Sequence, residues 1–434
     1  MTRRRFLTTT AKASAVLAAP VFVPGPALGK DGRAAASERI TVGGIGINSR
    51  GVAVLRDMLS QPDAQFLAIC DIRADRRKAI KDMADGKYGN KDCATYRDLS
   101  ELLARRDIDA VLITTGDRWH ALGSVMAAKA GKDVYCEKPC SMTIGESQIL
   151  AETMRRYGRV FQVGTQRRSI GNFKFAVGLA RSGKLGKLHT LHASIAYYRP
   201  QVVHDWLPAE PEPPKEMVDW DLWLGPAPWR PYNHEYVAGI GGWLCHFDFN
   251  AGGGFLNWAS HSVDLCQWAN QADGTTPVEF EPVGAARGYA AKRVVHARYA
   301  NGVKLVMRSN DPDGWLNLGS LPVRFEGEEG WVETGDSGKI ALHPETLRTE
   351  RTDFTEEGIS ATSHARNFFD CVKSRAQPVT NADIARSSHV ASHAAAIAWM
   401  LDRKVAFDPA KEAFIGDDEA NRMRTRAMRE PWHM

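Results

Sequence analysis

The stretch RITVGGIGINSRG at 39–51 constrains this chain more than any other. Residues 39–43 read as a short buried strand, and the AVLRDML run after Gly51 has the apolar spacing of a helix. A strand that passes through glycines into a helix presents free N–H groups and a positive helix end to an anion. In this reading Gly44 makes the tight turn and Gly46 lets a pyrophosphate approach the backbone, with Asn48, Ser49 and Arg50 beside it. The third glycine of a GxGxxG pattern is absent: Ser49 stands there, and Gly51 lies two residues on. By itself the motif is equally consistent with a structural turn.

The next segment adds to it. QFLAICDIR at 65–73 reads as a second strand ending at Asp71, 27 residues after Gly44. A carboxylate there accepts the adenosine ribose hydroxyls and favours NAD, whereas Arg73, Arg76 and Arg77 suit the 2′-phosphate of NADP. NAD is preferred and NADP stays open. DAVLITT at 109–115 and DVYCEKP at 133–139 read as further strands with helices between. Strands alternating with helices predict an α/β fold with a doubly wound parallel sheet. Thr115, Asp117, Trp119 and His120 follow one strand, Glu137 and Lys138 end another, and Gln166 and Arg167 follow VFQVG; these are the places where such a sheet binds ligands.

The N-terminus raises a different expectation. Thr2-Arg3-Arg4-Arg5-Phe6-Leu7 resembles a twin-arginine export signal, and the apolar run Ala13–Val23 is too short to span a bilayer. The reading is a signal peptide at 1–29, a linker at 30–37 and a periplasmic or otherwise exported protein. Most of the formal charge of +5 sits in that segment, as Arg3, Arg4, Arg5 and Lys12 with no acid. The rest of the chain is nearly neutral, which argues against a nucleic-acid partner. Seven scattered cysteines without a CxxC pair predict neither a disulfide framework nor a zinc site.

VYCEKPCSM at 134–142, TTGDRWHALGSVMAAKAGK upstream and VGTQRRS downstream together resemble the Gfo/Idh/MocA family of sugar-acting oxidoreductases. DWDLWLGPAPWRPYNHEY at 219–236, GGGFLNWASHSVDLCQWA at 252–269, NFFDCVKSRAQPV at 367–379 and the closing DEANRMRTRAMREPW carry the resemblance to the C-terminus. It implies a Rossmann domain at 38–160. An α/β domain with an open, mostly antiparallel sheet is implied at 161–434, its C-terminal helices returning to the first domain. It also implies a homo-oligomer, dimer or tetramer. LHTLHASIAYY, VVHARYA, VKLVMRS and PVRFEG read as strands of that sheet, and 362–376 and 382–402 as the helices.

The resemblance further implies that Lys138 hydrogen-bonds the substrate hydroxyl that is oxidised and that His261 moves its proton. An imidazole titrating near ~6.5 serves as base or acid, and an ammonium favours a developing alkoxide. Asn257 stands where the family commonly has an acid; it can orient His261 without balancing its charge. Asp264, one turn beyond His261, reads as structural. Gly116 replaces the more usual proline.

Aromatic residues are dense at 198–258, among them Trp206, Trp220, Trp223, Trp229, Tyr232, Trp243 and Trp258. Such rings stack on sugars or bury in cores. Candidate substrate contacts are Arg167, His204, Trp206, Tyr232, Asn233, Trp258 and His261. No histidine spacing matches a zinc pattern, so no metal is expected. The expected function is an NAD(P)-dependent oxidoreductase acting on a ring hydroxyl of a sugar or glycoside, a small-molecule carbohydrate substrate, with tightly held cofactor. The alternatives are a redox-neutral NAD-dependent glycosidase and a catalytically silent sugar-binding protein.

Overall fold

The computed structural model describes residues 34–195, 204–250, 254–284, 294–308, 318–350 and 362–434. The signal-peptide reading at 1–29 and most of the 30–37 linker lie outside them. No helix among the described residues is long and apolar enough to cross a membrane.

The first sheet has six parallel strands: β1 (Ile40–Ile45), β2 (Ala64–Cys70), β3 (Ala94–Tyr96), β4 (Ala110–Ile113), β5 (Asp133–Cys136) and β6 (Phe161–Val163), in the order β3-β2-β1-β4-β5-β6. Helices α1 (Arg50–Leu59), α2 (Ala74–Tyr88), α3 (Leu99–Leu103), α4 (His120–Lys129) and α5 (Ile144–Tyr157) connect them. The strands are short and nearly all apolar, as strands covered on both faces must be. β6 lies beyond residue 160, where the sequence placed the domain boundary. It pairs with β5, so the first sheet runs on to Val163.

The order reverses at β1, which opens a crevice between its two neighbours. Register does the rest. Ile45 pairs with Cys70 and Ile113, Ile113 with Cys136, and Cys136 with Val163. The residues that follow these five therefore emerge along one edge.

The second sheet has nine strands. They are β7 (Leu188–Ser194), β8 (Glu279–Val283), β9 (Val294–Arg298), β10 (Lys304–Arg308), β11 (Val323–Gly327), β12 (Gly330–Thr334), β13 (Ile340–His343), β14 (Val405–Asp408) and β15 (Ala413–Phe414). Only β7 and β10 pair in parallel; the other pairs are antiparallel. Helices α6 (Gly171–Arg181), α7 (Ala259–Ala269) and α9 (Ala382–Leu401) bury one face of it in a single large core.

Helix α8 (Thr362–Ser374) turns back to the first sheet. Ala365, Phe368 and Phe369 join the core of Val54, Leu55 and Leu112, and Asp63 receives both Arg366 and Lys373. Although burial opposes it, those two cations hold the Asp63 carboxyl down at about 2.

Residues 204–250 form neither sheet nor long helix. Trp220, Trp223, Tyr236 and Phe249 build a small aromatic core in which Trp220 stacks on Trp223 at 4.7 Å and Phe249 meets Trp223 edge-on at 4.8 Å. This strap is tied across the edge of the first sheet. Asp219 N–H donates to Ile72 O and Ala74 N–H to Met217 O, while Trp119 Nε1 donates to Leu222 O at 3.0 Å. The C-terminal tail covers it in turn, with Arg429 on Gly225 and Asp221 and Trp432 edge-on to Trp119.

Candidate active site

A cleft runs along the carboxyl edge of the first sheet beneath the strap. All the sequence-predicted cofactor residues except Gly44 and Gln166 line it, and Asn257 lines its far end.

The glycines divide their work differently from the expectation. Gly44 lies inside β1, where a Cβ would meet Phe66 at 2.8 Å; it serves packing, not the turn. The turn is made by Gly46, whose φ of +68° is left-handed. Gly51 does the work of the missing third glycine. A Cβ there would meet Thr114 Oγ1 at 2.2 Å, so α1 can sit against the end of β4 only without a side chain. Asn48 Oδ1 accepts Ser49 N–H at 2.8 Å and Arg76 Nη1 at 2.6 Å. The open start of α1 and the cradle at Gly46 suit a pyrophosphate.

Asp71 projects into the same cleft from β2. Burial pushes its carboxyl up to about 6, although Arg73 N–H bonds it at 2.9 Å. The Arg73 side chain, predicted as a 2′-phosphate contact, is held elsewhere: bidentately by Asp75 and by Val237 O of the strap. Arg77 is likewise held by Asp71 O and Glu216 O.

At the other end Glu137 Oε1 accepts Gln166 Nε2 at 2.7 Å and lies 3.7 Å from Arg50 Nε. Gln166 is buried behind the cleft and also bonds Tyr135 Oη, so it positions Glu137. Lys138 Nζ donates to Asn257 O at 2.5 Å and stands 5.3 Å from the Trp258 ring. Burial pushes its ammonium down to about 8, against the pull of Glu137 and Asp117.

His261 is 3% exposed. Burial drives its pKa well below the usual value, and the charges of Arg167, Lys138 and Arg50 drive it further. Its Nδ1 has no hydrogen-bond partner among the described residues, so the expected bond to Asn257 is not made there. The helix Gly254–Asn257 ends at Trp258, and α7 starts afresh at Ala259. Asp264 is ion-paired to Arg168 at 2.7 Å, a structural role.

The other predicted residues are held by further contacts. Trp119 is docked on the strap, and His120 lies between Pro139 O at 2.7 Å and Thr115 O at 3.1 Å. Arg167 makes a buried bidentate pair with Asp336. Asn233 caps the short helix His234–Ala238 and bonds Pro208 O and Glu210. Tyr232 packs edge-on against Trp220. His204 lies against Phe247, and Trp206 is 54% exposed beside Trp229; neither lines the cleft. Sequence reasoning missed Arg118, Leu222, Tyr236 and Val237, which do. The one signal was Gly116, beside Arg118. All seven cysteines are thiols, and the described residues hold no cluster of three or more metal-ligating side chains.

The comparisons with known proteins agree with this geometry. Residues 40–165 match the model of the oxidoreductase family's NAD-binding Rossmann fold, and residues 202–434 that of its C-terminal alpha/beta domain. Myo-inositol 2-dehydrogenase of Thermotoga maritima is 31% identical over 150 residues, 35% of this chain and 44% of that protein. A glycosyl hydrolase family 109 protein of a Shewanella species is 30% identical over 164 residues, 37% and 35% of the two chains. The chain thus spans half or less of the length of these curated relatives. Among solved structures, the WlbA dehydrogenase from Chromobacterium violaceum, in complex with NADH and UDP-GlcNAcA, superposes with a TM-score of 0.64 at 18% identity, covering 87% of this chain and 98% of that one. The aldose-aldose oxidoreductase from Caulobacter crescentus does so with a TM-score of 0.61 at 16% identity, covering 85% and 100%. The two family models together span most of the chain, which therefore belongs to the Gfo/Idh/MocA oxidoreductase family.

Proposed function

We propose that this protein oxidises a ring hydroxyl of a sugar or glycoside with a tightly held nicotinamide cofactor, NAD rather than NADP. The observation that carries the reading is the continuous cleft from Asp71 to Lys138, roofed by the strap. Asp71 offers a carboxylate to the ribose diol, and Arg73 and Arg77 are already engaged by the strap and by Asp75. The start of α1 holds the pyrophosphate. A bound nicotinamide supplies the hydride acceptor. Lys138 holds the substrate oxygen and stabilises the alkoxide as its proton leaves, and the neutral His261 accepts that proton. Its depressed basicity keeps it unprotonated at neutral pH and ready for this role.

The strap bears on the fate of the cofactor. Its backbone bonds the first domain at Ile72, Arg73, Arg77 and Trp119, on both flanks of the cleft. A strap tied down in this way restrains the escape of a dinucleotide from the cleft beneath it. Such a cofactor can travel with a folded protein through the twin-arginine route that residues 2–7 suggest. It must then be restored within each catalytic cycle, by a second sugar or by returning the hydride. The second possibility is the redox-neutral glycosidase reading, favoured by the same roof and by the similarity to family 109 proteins.

The test is to purify the protein from periplasm after expression with its own N-terminus, denature it, and identify the released nucleotide by chromatography. Stoichiometric NAD(H) supports the reading. An empty protein that also binds no added dinucleotide overturns it and leaves a silent sugar-binding protein. Hydrolysis of a nitrophenyl glycoside without added cofactor selects the glycosidase.

A further inference from the structure

Arg118 is left over by both the fold and the chemistry proposed above. It leaves the loop between β4 and α4, is 4% exposed, and lines the cleft with Lys138. Its guanidinium carbon lies 3.7 Å from the Trp223 ring centroid, and its Nε donates to Trp223 O at 2.7 Å. Its Nη1 is buried and has no hydrogen-bond partner among the described residues. A buried charged donor left without an acceptor is rare in a native interior unless a ligand or ion completes it.

The surroundings sharpen the point. Arg230 and Arg426 face Arg118; burial first and then these two charges push its pKa down to about 9, with Asp117 opposing. Arg230 is ion-paired to Asp248, and Arg426 stands 3.7 Å from Glu146. Arg118 has no ion pair among the described residues. Asp117 favours the charge of Lys138 as well, and Glu137 faces both Lys138 and Arg50. Of the two arginines that line the cleft beside Lys138, Arg50 thus stands near a carboxylate, and Arg118 has no such pairing among the described residues.

The local backbone is shaped for that guanidinium. A Cβ on residue 116 would lie 2.4 Å from Arg118 Nη1, so the side chain occupies space that only glycine leaves. The cofactor's own anions belong elsewhere: the pyrophosphate at the start of α1, and a 2′-phosphate at the end of β2, across β1 from the loop that carries Arg118.

We propose that Arg118 receives an anionic group of the substrate, and that the substrate is a sugar bearing a carboxylate. A single guanidinium without an ion pair can receive one anionic group. A phosphate dianion would overcompensate it beside Asp117. A guanidinium edge is matched in shape to a planar carboxylate. This assignment rests on the carbohydrate reading of the cleft.

The experiment uses the full-length protein with its native nucleotide and three probes: glucuronate, glucose and glucose 6-phosphate. Binding is followed by tryptophan fluorescence, since Trp223 stacks on Arg118, and turnover by near-ultraviolet absorbance of the reduced nucleotide. Glucuronate should half-saturate at a concentration roughly tenfold or more below glucose, the size expected of one charge-assisted bond. Arg118→Gln should collapse that ratio, and Gly116→Val, which displaces the guanidinium, should do the same. The proposal is overturned if the wild type shows no preference for the acid, or prefers the phosphate. It is also overturned if Arg118→Gln, folded by its melting temperature, keeps the ratio or simply loses nucleotide. A fluorescence preference for glucuronate without any nucleotide reduction overturns the oxidoreductase reading and leaves the anion site standing.

Discussion

Lys138 Nζ donates to the backbone carbonyl of Asn257 at 2.5 Å, and this bond joins the end of β5 in the first sheet to the helix that precedes His261. The ammonium is therefore positioned by the second domain, not by its own strand. Its acceptor is a carbonyl and not a carboxylate, so burial is free to lower its pKa to about 8.

Substitution of Lys138 by Ala should reduce hydride transfer roughly 10²–10⁴-fold, the usual scale for a group that stabilises charge only in the transition state. Nucleotide content should be retained. The ammonium is the active form in this role, so the rate of the wild type should fall as pH rises through about 8. Single-turnover reduction of the bound nucleotide across pH 6.5–9.5 checks it. A rate that climbs through that range would show that the neutral amine is the working form.

Asp71 titrates at about 6 because it is buried. A carboxylate accepts two ribose hydroxyl donors and a carboxylic acid accepts less well, so NAD affinity should fall as pH drops below about 6. Asp71→Ala should weaken NAD by roughly tenfold or more, the value of a lost charged hydrogen bond. Titration of nucleotide-depleted protein with NAD and NADP at pH 5 and pH 7.5 decides the matter; equal affinities for the two would remove Asp71 from the ribose site.

His364 and His389 are buried neutral, and burial holds their pKa values down to about 4. The unfolded chain binds protons on both from about pH 6.5 downward, and the native state does not. Stability is thus fully present above about 6.5 and is lost as pH falls toward 4, on the order of 1.4 kcal/mol per pH unit for each histidine. Urea unfolding at pH 7, 6 and 5 should show the decline. His389→Gln should remove about half of this contribution, since Gln carries no titrating group while its amide oxygen can still accept the Cys140 N–H that His389 Nε2 accepts. A slope indifferent to that substitution would place the linkage elsewhere.

Gly51→Val should cost about 1–3 kcal/mol through overpacking, because its Cβ meets Thr114 Oγ1 at 2.2 Å. Since α1 must then retreat from β4, the pyrophosphate cradle moves with it, and bound nucleotide should be lost before the fold is. Parallel thermal melts and nucleotide assays test this ordering.

The doubly wound sheet, the cleft edge and the residues at strand ends were legible in the sequence. Strand–glycine–helix order and apolar runs are local signals, and a parallel sheet converts them directly into position: whatever follows a strand appears at its carboxyl edge. Asp71, Thr115, Glu137 and Lys138 were found in that way. The short strands β12–β15 were not, because their pairing partners and not their own patterns make them strands.

What tertiary structure alone decided lies in the second half of the chain. An aromatic-rich stretch between 204 and 250 is equally compatible with a sugar platform and a small core; packing resolved it, burying Trp220 and Trp223 and leaving Trp206 exposed. Asn257 and His261 are four residues apart, yet Asn257 serves through its backbone carbonyl, which holds Lys138 from the other domain, and His261 Nδ1 has no partner among the described residues. Gly51 replaced the missing glycine because the constraint is a distance to Thr114, set 63 positions away, and not a place in a motif. Local sequence determines which backbone elements form and where their ends point. Which side chain is free to act is decided by the burial and the partners that distant segments bring to it.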